Sequence, residues 1–531
     1  MSTTDARSSA WAELLRIGVP ADLDSTFADD PDRAARFTMT AGDLLVDLSK
    51  NNWSDEVRRE LLSLAAACDV AGGWAAMRSG EPINLSEDRS VGHTWLRAPR
   101  GESVVVDGVD VVSKVNDALD RMLAFVDDVH AGRILGAGGR PFTDIVNVGI
   151  GGSDLGPRLA YEALRSRRMP GVRCHFVSNV DPANAADVLA GLDPQHTLVV
   201  VASKTFTTEE TMANARLIRD WLATATDPSG HMCAVTVDVS AARNFGIRDE
   251  LVFPFWNWVG GRYSLASSIG LPVALAVGSA AFRELLAGMR LIDEHVDRSS
   301  PADNVPLAMA LVGAWNARVV GTTSKAVVPY AHDLRSLPAY LQQLDMESNG
   351  KSVHRDGSPV DGMTAPIVWG SPGTDAQHAY FQLLHQGTQK VAVDFIGFAS
   401  PNDGSAEQHD TLLANLLAQS RALAFGRPDA QTHRLTAAEH RRFGGNRPNT
   451  VVLAPRLTPS TLGQIVALYE HVVFFQGWLW DINSFDQFGV ELGKEMAATV
   501  RRELSSGSDG ATDSSTRGLA QWILRHRGPA K

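Results

Sequence analysis

Cysteine is scarce in this sequence. The 531 residues hold three, Cys68, Cys174 and Cys233, far apart in the chain. An odd number at such separations offers neither a disulfide framework nor zinc-ligand spacing, and points to a reducing compartment. Long apolar runs are missing too. No stretch approaches the roughly 18 uninterrupted apolar residues of a membrane span. Residues 1–18 are interrupted by Asp5 and Glu13, unlike the apolar segment of an export signal. Nor is there a surplus of basic charge. The net charge is −12 and the isoelectric point about 5.7, which weighs against nucleic acid or an anionic membrane as partner. An anionic small molecule remains possible, because its binding is set locally.

A clean nucleotide motif is also lacking. From Gly149 the chain reads Gly-Ile-Gly-Gly-Ser-Asp, so Asp154 stands where a dinucleotide fingerprint needs glycine. The Gly489–Glu495 run is one residue short of a nucleotidase phosphate loop, and Glu495 replaces the magnesium-binding hydroxyl. What remains is a cytoplasmic enzyme of ordinary composition, 44% hydrophobic and 21% charged. The chain is long enough for more than one core.

Periodicity supplies the organisation. Residues 1–134 read as a mostly helical N-terminal extension packing on the core; in Glu56–Ala67, Val57, Leu61, Leu64 and Ala65 repeat at helical spacing. Beyond them, runs rich in Val and Ile alternate with helical patterns. A first set is Ile145–Ile150, Cys174–Ser178, Leu198–Ala202 and Cys233–Val239; a second is Val319–Tyr330, Pro366–Trp369, Val391–Phe398 and Thr450–Leu453. Strands alternating with helices predict βαβ units and mainly parallel sheets, hence an α/β fold class. We place a first α/β subdomain at 135–300 and a second at 301–500, with Ser299-Ser300-Pro301 marking the loop between them. An amphipathic helix is expected over Pro459–Trp480. The Ser/Gly/Asp-rich Ser505–Ser515 segment reads as a mobile linker to a short helix near Leu519–Arg525, making 501–531 a tail.

One turn grammar occurs twice. Asp144–Gly156 and Leu198–Glu210 each run from an apolar strand through small and hydroxyl residues into a helix start. A helix N-terminus presents unpaired N–H groups and partial positive charge, which suits a phosphate. Either turn alone is equally a tight strand–helix connection; two on neighbouring strands suggest one phosphate held by both. Ser203-Lys204-Thr205-Phe206-Thr207-Thr208 is the denser, with a capping box expected at Thr207–Glu210.

Four further segments carry chemistry. Arg262 follows Gly260-Gly261 and could face an anion or a developing oxyanion, or make an ordinary salt bridge. Gln342–Lys351 holds two carboxylates, Asp345 and Glu347, either of which could be a general base; spacing alone does not choose. Thr374 and Gln377 have capping-box spacing, placing His378 in a first helical turn where its neutral form is favoured. Lys494, between Gly489 and Gly493 and an acidic neighbour, is either functional or a surface lysine.

In this order the segments resemble the phosphoglucose isomerase family over about residues 40–500. The specific matches are Gly260–Ser264 and Phe485–Lys494, joined by Val146–Pro157, Ser203–Thr211, Asp345–Lys351, Gln377–Thr388 and Ser79–Arg89. The resemblance implies two sugar-isomerase (SIS-type) three-layer α/β/α subdomains, a homodimer, and interconversion of glucose 6-phosphate and fructose 6-phosphate without metal or organic cofactor. It assigns Gly152, Ser153, Ser203, Lys204, Thr205 and Thr208 to the phosphate, with Lys204 acting largely through its backbone. Glu347 matches the proton-transfer base and Arg262 the enediolate-stabilising group. His378, supplied across the subunit interface, and Lys494 match the groups that assist ring opening. Gln343 and Gln487 match substrate contacts. The sequence departs from the family pattern at Asn257, Ala266, Asp375 and Ala376, none of them a proposed catalytic group. Nothing in these residues excludes mannose 6-phosphate, and a non-catalytic sugar-phosphate binder would keep the turns but lose the reacting groups.

Overall fold

The computed structural model describes residues 3–20, 22–427, 440–506 and 513–527. The chain forms two compact units, Met1–Ser484 and Phe485–Lys531. The first unit is built on two sheets. One is wholly parallel, in the order Arg173–Val177, Asp144–Val148, Thr197–Ala202, Met232–Thr236, Val252–Pro254. Its central strands are buried at every residue, as parallel strands covered by helices on both faces require.

The second sheet has six strands, in the order Thr38–Ala41, Leu44–Asp47, Asn449–Ala454, Val391–Phe398, Ser324–Pro329, Ile367–Trp369. The last four pair parallel. Leu44–Asp47 adds antiparallel to Asn449–Ala454, so the N-terminal segment contributes a hairpin as well as helices. Four residues per strand, with Thr and Asp among them, leave too short an alternation for the pattern to stand out.

Several elements differ from the sequence reading: Val252–Pro254 adds a fifth parallel strand, and Val239 opens a helix rather than ending a strand. Val319 and Val320 end a π-helical turn, Asn316–Val320, and the strand begins only at Ser324. Gly321 follows with φ +79°, the left-handed geometry that stops a helix. The helix Pro459–Trp480 is present but not amphipathic: every residue except Ser460 and Trp478 is buried. It runs through the middle of the first unit, packed against Ser279–Arg298 and Val305–Trp315. Its polar residues are therefore committed inside.

The chief such commitment is a buried ionic network. Arg97 donates to Asp293 at 2.7 Å and to Glu470 at 2.7 Å, and all three are essentially inaccessible. His471 Nε2 lies 2.7 Å from the same Asp293 carboxylate. Burial alone would raise Asp293, but the Arg97 charge outweighs it and holds the carboxyl well below the usual range. Burial pushes Glu470 up to about 7, against the pull of Arg97. Arg97→Ala leaves two carboxyls facing each other in a dry core, so a loss of about 3–5 kcal/mol is expected in denaturant unfolding. Because the folded value of Glu470 lies above its ordinary 4.5, its contribution is complete below that value. It is lost as pH rises through about 7.

The second unit comprises the helices Phe488–Ser506 and Ser514–His526. The latter is the expected tail helix, starting on an Asp513 cap. Of the linker segment Ser505–Ser515, residues 507–512 lie outside the described residues.

Candidate active site

The two turns lie side by side. Asp144–Val148 and Thr197–Ala202 are adjacent parallel strands, so both turns leave the same edge of the first sheet. Each leads into a helix, Gly152–Ala163 and Glu209–Leu222. Neither Gly151 nor Thr208 makes a side-chain cap bond to its helix. The expected capping box at Thr207–Glu210 does not form, because the helix starts one residue later, with Thr208 at its N-cap, and the Thr207 hydroxyl is paired elsewhere; Thr208 Oγ1 takes a hydrogen bond from Ser203 Oγ at 3.3 Å. Thr205 and Thr207 hydroxyls pair at 2.7 Å. The hydroxyls thus bond to one another, and the helix-start amides carry no hydroxyl cap, an arrangement suited to an anion.

Lys204 has another task. Its ammonium donates to the carbonyls of Asn257 at 2.8 Å and Val259 at 3.1 Å. Burial pushes it down to about 8. The side chain therefore ties the second turn to the loop that carries Arg262, leaving its backbone for the turn.

Glycine fixes the approach of the first turn to that same loop. Gly151 sits at φ +59° and ψ −125°, a region closed to residues with a Cβ. A Cβ there would also lie 2.9 Å from Gln343 Nε2, which places the Gln343 amide at the turn. A Cβ on Gly152 would overlap the carbonyl of Gly261. Gly152→Ala must push the turn away from Gly261-Arg262. A displacement of that order is expected to lower kcat/KM about 10²-fold, in a steady-state assay with sugar phosphate.

Arg262 lies on the turn Gly261–Tyr263 and is buried. Its Nε donates to Ser348 Oγ at 2.6 Å and its Nη2 to the Ser484 carbonyl at 2.6 Å. Its Nη1 faces Glu347 Oε2 at 3.5 Å. Glu347 ends the π-helical turn Gln342–Glu347, which also carries Gln343 and Asp345. A π-turn widens the helix and often marks a functional position. The two carboxylates open in the sequence reading are separated by the structure. Asp345 is buried and paired with Lys325 Nζ at 3.0 Å, which commits it to anchoring the turn. Glu347 remains partly accessible beside Arg262.

His378 is exposed on the short helix Asp375–Ala379 of the second sheet's unit. The expected capping box is absent: Thr374 makes no side-chain cap bond. Gln377 instead bonds Tyr330 Oη at 3.3 Å and Asn415 at 3.2 Å, so its amide is drawn away from the helix start. Among the described residues no hydrogen bond or ion pair joins His378 to Glu347 or Arg262. Within the second unit, Gln487 Nε2 reaches Glu491 at 3.4 Å and Lys494 is exposed on its helix. Among the described residues no group of His, Cys, Asp and Glu is arranged to hold a metal ion.

Sequence reasoning missed groups that hold Arg262, among them Ser348 and Ser484, with Tyr263 Oη against the Ser348 hydroxyl. Ser348 follows Glu347 directly, but a serine in a polar run gives no sign that its hydroxyl is buried.

Comparison with known proteins identifies the family. The sequence model of the family described as phosphoglucose isomerase matches residues 47–520. The chain is 50% identical to glucose-6-phosphate isomerase 3 of Rhodococcus jostii over 96% of this chain and 95% of that protein. It is 50% identical to glucose-6-phosphate isomerase 1 of Streptomyces avermitilis over 98% of each. A crystal structure of a glucose-6-phosphate isomerase from Chlamydia trachomatis superposes with a TM-score of 0.87 at 34% identity, covering 97% of this chain and 98% of that one. With a match spanning nearly the whole sequence and both sheets, the chain belongs to the phosphoglucose isomerase family.

Proposed function

We propose that this chain interconverts D-glucose 6-phosphate and D-fructose 6-phosphate, in glycolysis and gluconeogenesis, by ring opening and proton transfer through a cis-enediolate. The observation that carries the reading is the run of contacts from phosphate turn to reacting pair. Gly152 lies against Gly261, the next residue is Arg262, and Arg262 faces Glu347. A sugar held by its phosphate at the twin turns would present its far end to an acid–base pair.

The roles follow from the groups. The turns, through Gly152, Ser153, Ser203, Lys204, Thr205 and Thr208, bind phosphate; Gln343 and Gln487 contact the sugar. The substrate enters as a ring, so a proton must pass between the anomeric hydroxyl and the ring oxygen before chemistry at C1 and C2. His378 and Lys494 would assist there. The Glu347 carboxylate then takes the proton from C2 of the aldose, or C1 of the ketose, and returns it to the neighbouring carbon. The intermediate carries negative charge on its oxygens, and a fixed guanidinium at Arg262 lowers its energy.

His378 is exposed and unlinked to the pair within one chain, which favours its being given to a second copy's site. The working form is then a homodimer. Among the described residues no helix is long and apolar enough to cross a membrane, and we place the enzyme in the cytoplasm.

The direct test supplies fructose 6-phosphate and follows glucose 6-phosphate by a coupled dehydrogenase assay, with and without chelator. Turnover in both conditions is expected. A folded protein that binds fructose 6-phosphate without converting it would sink the proposal and favour a non-catalytic sugar-phosphate binder.

A further inference from the structure

Arg262 follows Gly260 and Gly261, which offer no side chain to aim it, and Gly261 meets the first turn through its backbone carbonyl. A guanidinium on a flexible stem loses catalytic value unless its plane is fixed, because an electrostatic donor works only when already oriented toward the developing charge. Two groups that hold it, Ser348 and Ser484, come from distant parts of the first unit.

We propose that Ser348 is a positioning residue for the isomerisation, its buried hydroxyl setting the guanidinium plane of Arg262 against Glu347. This rests on the roles of Arg262 and Glu347 given above. The Ser348 side chain is fully buried, and its Oγ accepts from Arg262 Nε at 2.6 Å. The same Oγ lies 3.0 Å from Tyr263 Oη. A hydroxyl has one hydrogen and two lone pairs. With one lone pair taken by Arg262, Ser348 can still either donate its hydrogen to a neutral tyrosine or accept from it on the other lone pair. Burial pushes Tyr263 up to about 12, so it stays neutral at working pH. Arg262 and Tyr263 are consecutive, so Ser348 closes a small ring of backbone and two side chains around the guanidinium stem.

The same short segment holds the other end. Arg262 Nη2 donates to the Ser484 carbonyl, and Ser484 Oγ donates to Asn349 Oδ1 at 2.7 Å. Asn349 Nδ2 in turn donates to the Val473 carbonyl of the buried helix at 3.0 Å. Glu347, Ser348 and Asn349 are successive residues. One turn of chain therefore places the carboxylate and, through Ser348 and Asn349, orients the cation facing it. The relative geometry of the pair is set by a single local structure, so drift in one group is followed by the other.

The test compares S348A, Y263F, R262A and the double variant R262A/S348A with the wild-type chain. Three quantities are read: kcat, KM for fructose 6-phosphate, and affinity for a sugar-phosphate hydroxamate, an anionic mimic of the enediolate. Loss of a hydrogen bond to a charged group predicts that S348A lowers kcat about 10- to 100-fold. KM should stay within about threefold, while hydroxamate affinity falls in step with kcat. Y263F should lower kcat in the same direction by less. In the R262A background, adding S348A should cost no more than about twofold, because its target is gone. S348A with kcat within about twofold of wild type would overturn the inference, as would an equal loss with and without Arg262. R262A with wild-type kcat would overturn the assignment of Arg262 itself, and this inference with it.

Discussion

Glu347→Gln is expected to remove turnover while leaving the substrate bound: kcat falls about 10²–10⁴-fold and KM changes little. The amide is nearly the shape of the carboxylate and can still lie beside Arg262, so packing on the π-turn is kept. What it cannot do is accept a proton from carbon. The fall should therefore appear in single-turnover rates as well as in kcat, with an unchanged melting temperature. Asp345→Asn is the instructive contrast. It strands the buried Lys325, its partner at 3.0 Å, and should show as lost stability rather than as a purely chemical defect. Normal turnover in Glu347→Gln would take the base role away from Glu347.

Arg262→Ala is the second large effect. The guanidinium is buried and faces Glu347 at 3.5 Å, so its charge acts with little screening on whatever anion forms between them. Removing one such donor costs about 10²–10³-fold in kcat. Arg262→Lys should recover little, because a lysine cannot reproduce the separate bonds to Ser348 and Ser484 made by Nε and Nη2. Substrate affinity is expected to change less than affinity for an enediolate mimic, since the charge Arg262 answers exists only part-way along the reaction. Equal losses for substrate and mimic would instead describe a binding residue.

Much of this was legible before any coordinates. The parallel strands of both sheets announce themselves as Val- and Ile-rich runs, because strands covered on both faces need no polar alternation. The twin turns are legible as small residues and hydroxyls between an apolar strand and a helix start. Other features depend on long-range partners. The helix Pro459–Trp480 reads as amphipathic in the sequence, yet its Gln464, Glu470, His471 and Gln476 lie inside. Those residues are polar and buried, and Arg97 and Asp293, hundreds of residues away in sequence, account for Glu470 and His471. Both capping boxes failed similarly. The Thr207 hydroxyl is taken up by Thr205, and the Gln377 amide by Tyr330 and Asn415. The different pairing of Asp345 and Glu347 depends on Lys325, which no spacing rule connects to either.

The central claim is that a carboxylate moves a proton between C1 and C2. Incubation with fructose 6-phosphate in deuterium oxide, with the product read by NMR, tests it most directly. The account predicts deuterium at C2 of the glucose 6-phosphate formed, because a proton held on Glu347 can exchange with solvent before its return, and none from the Glu347→Gln variant. Isomerisation that leaves C2 free of deuterium even after many reversible turnovers, each of which gives the carboxylate-held proton a chance to exchange, would contradict the account.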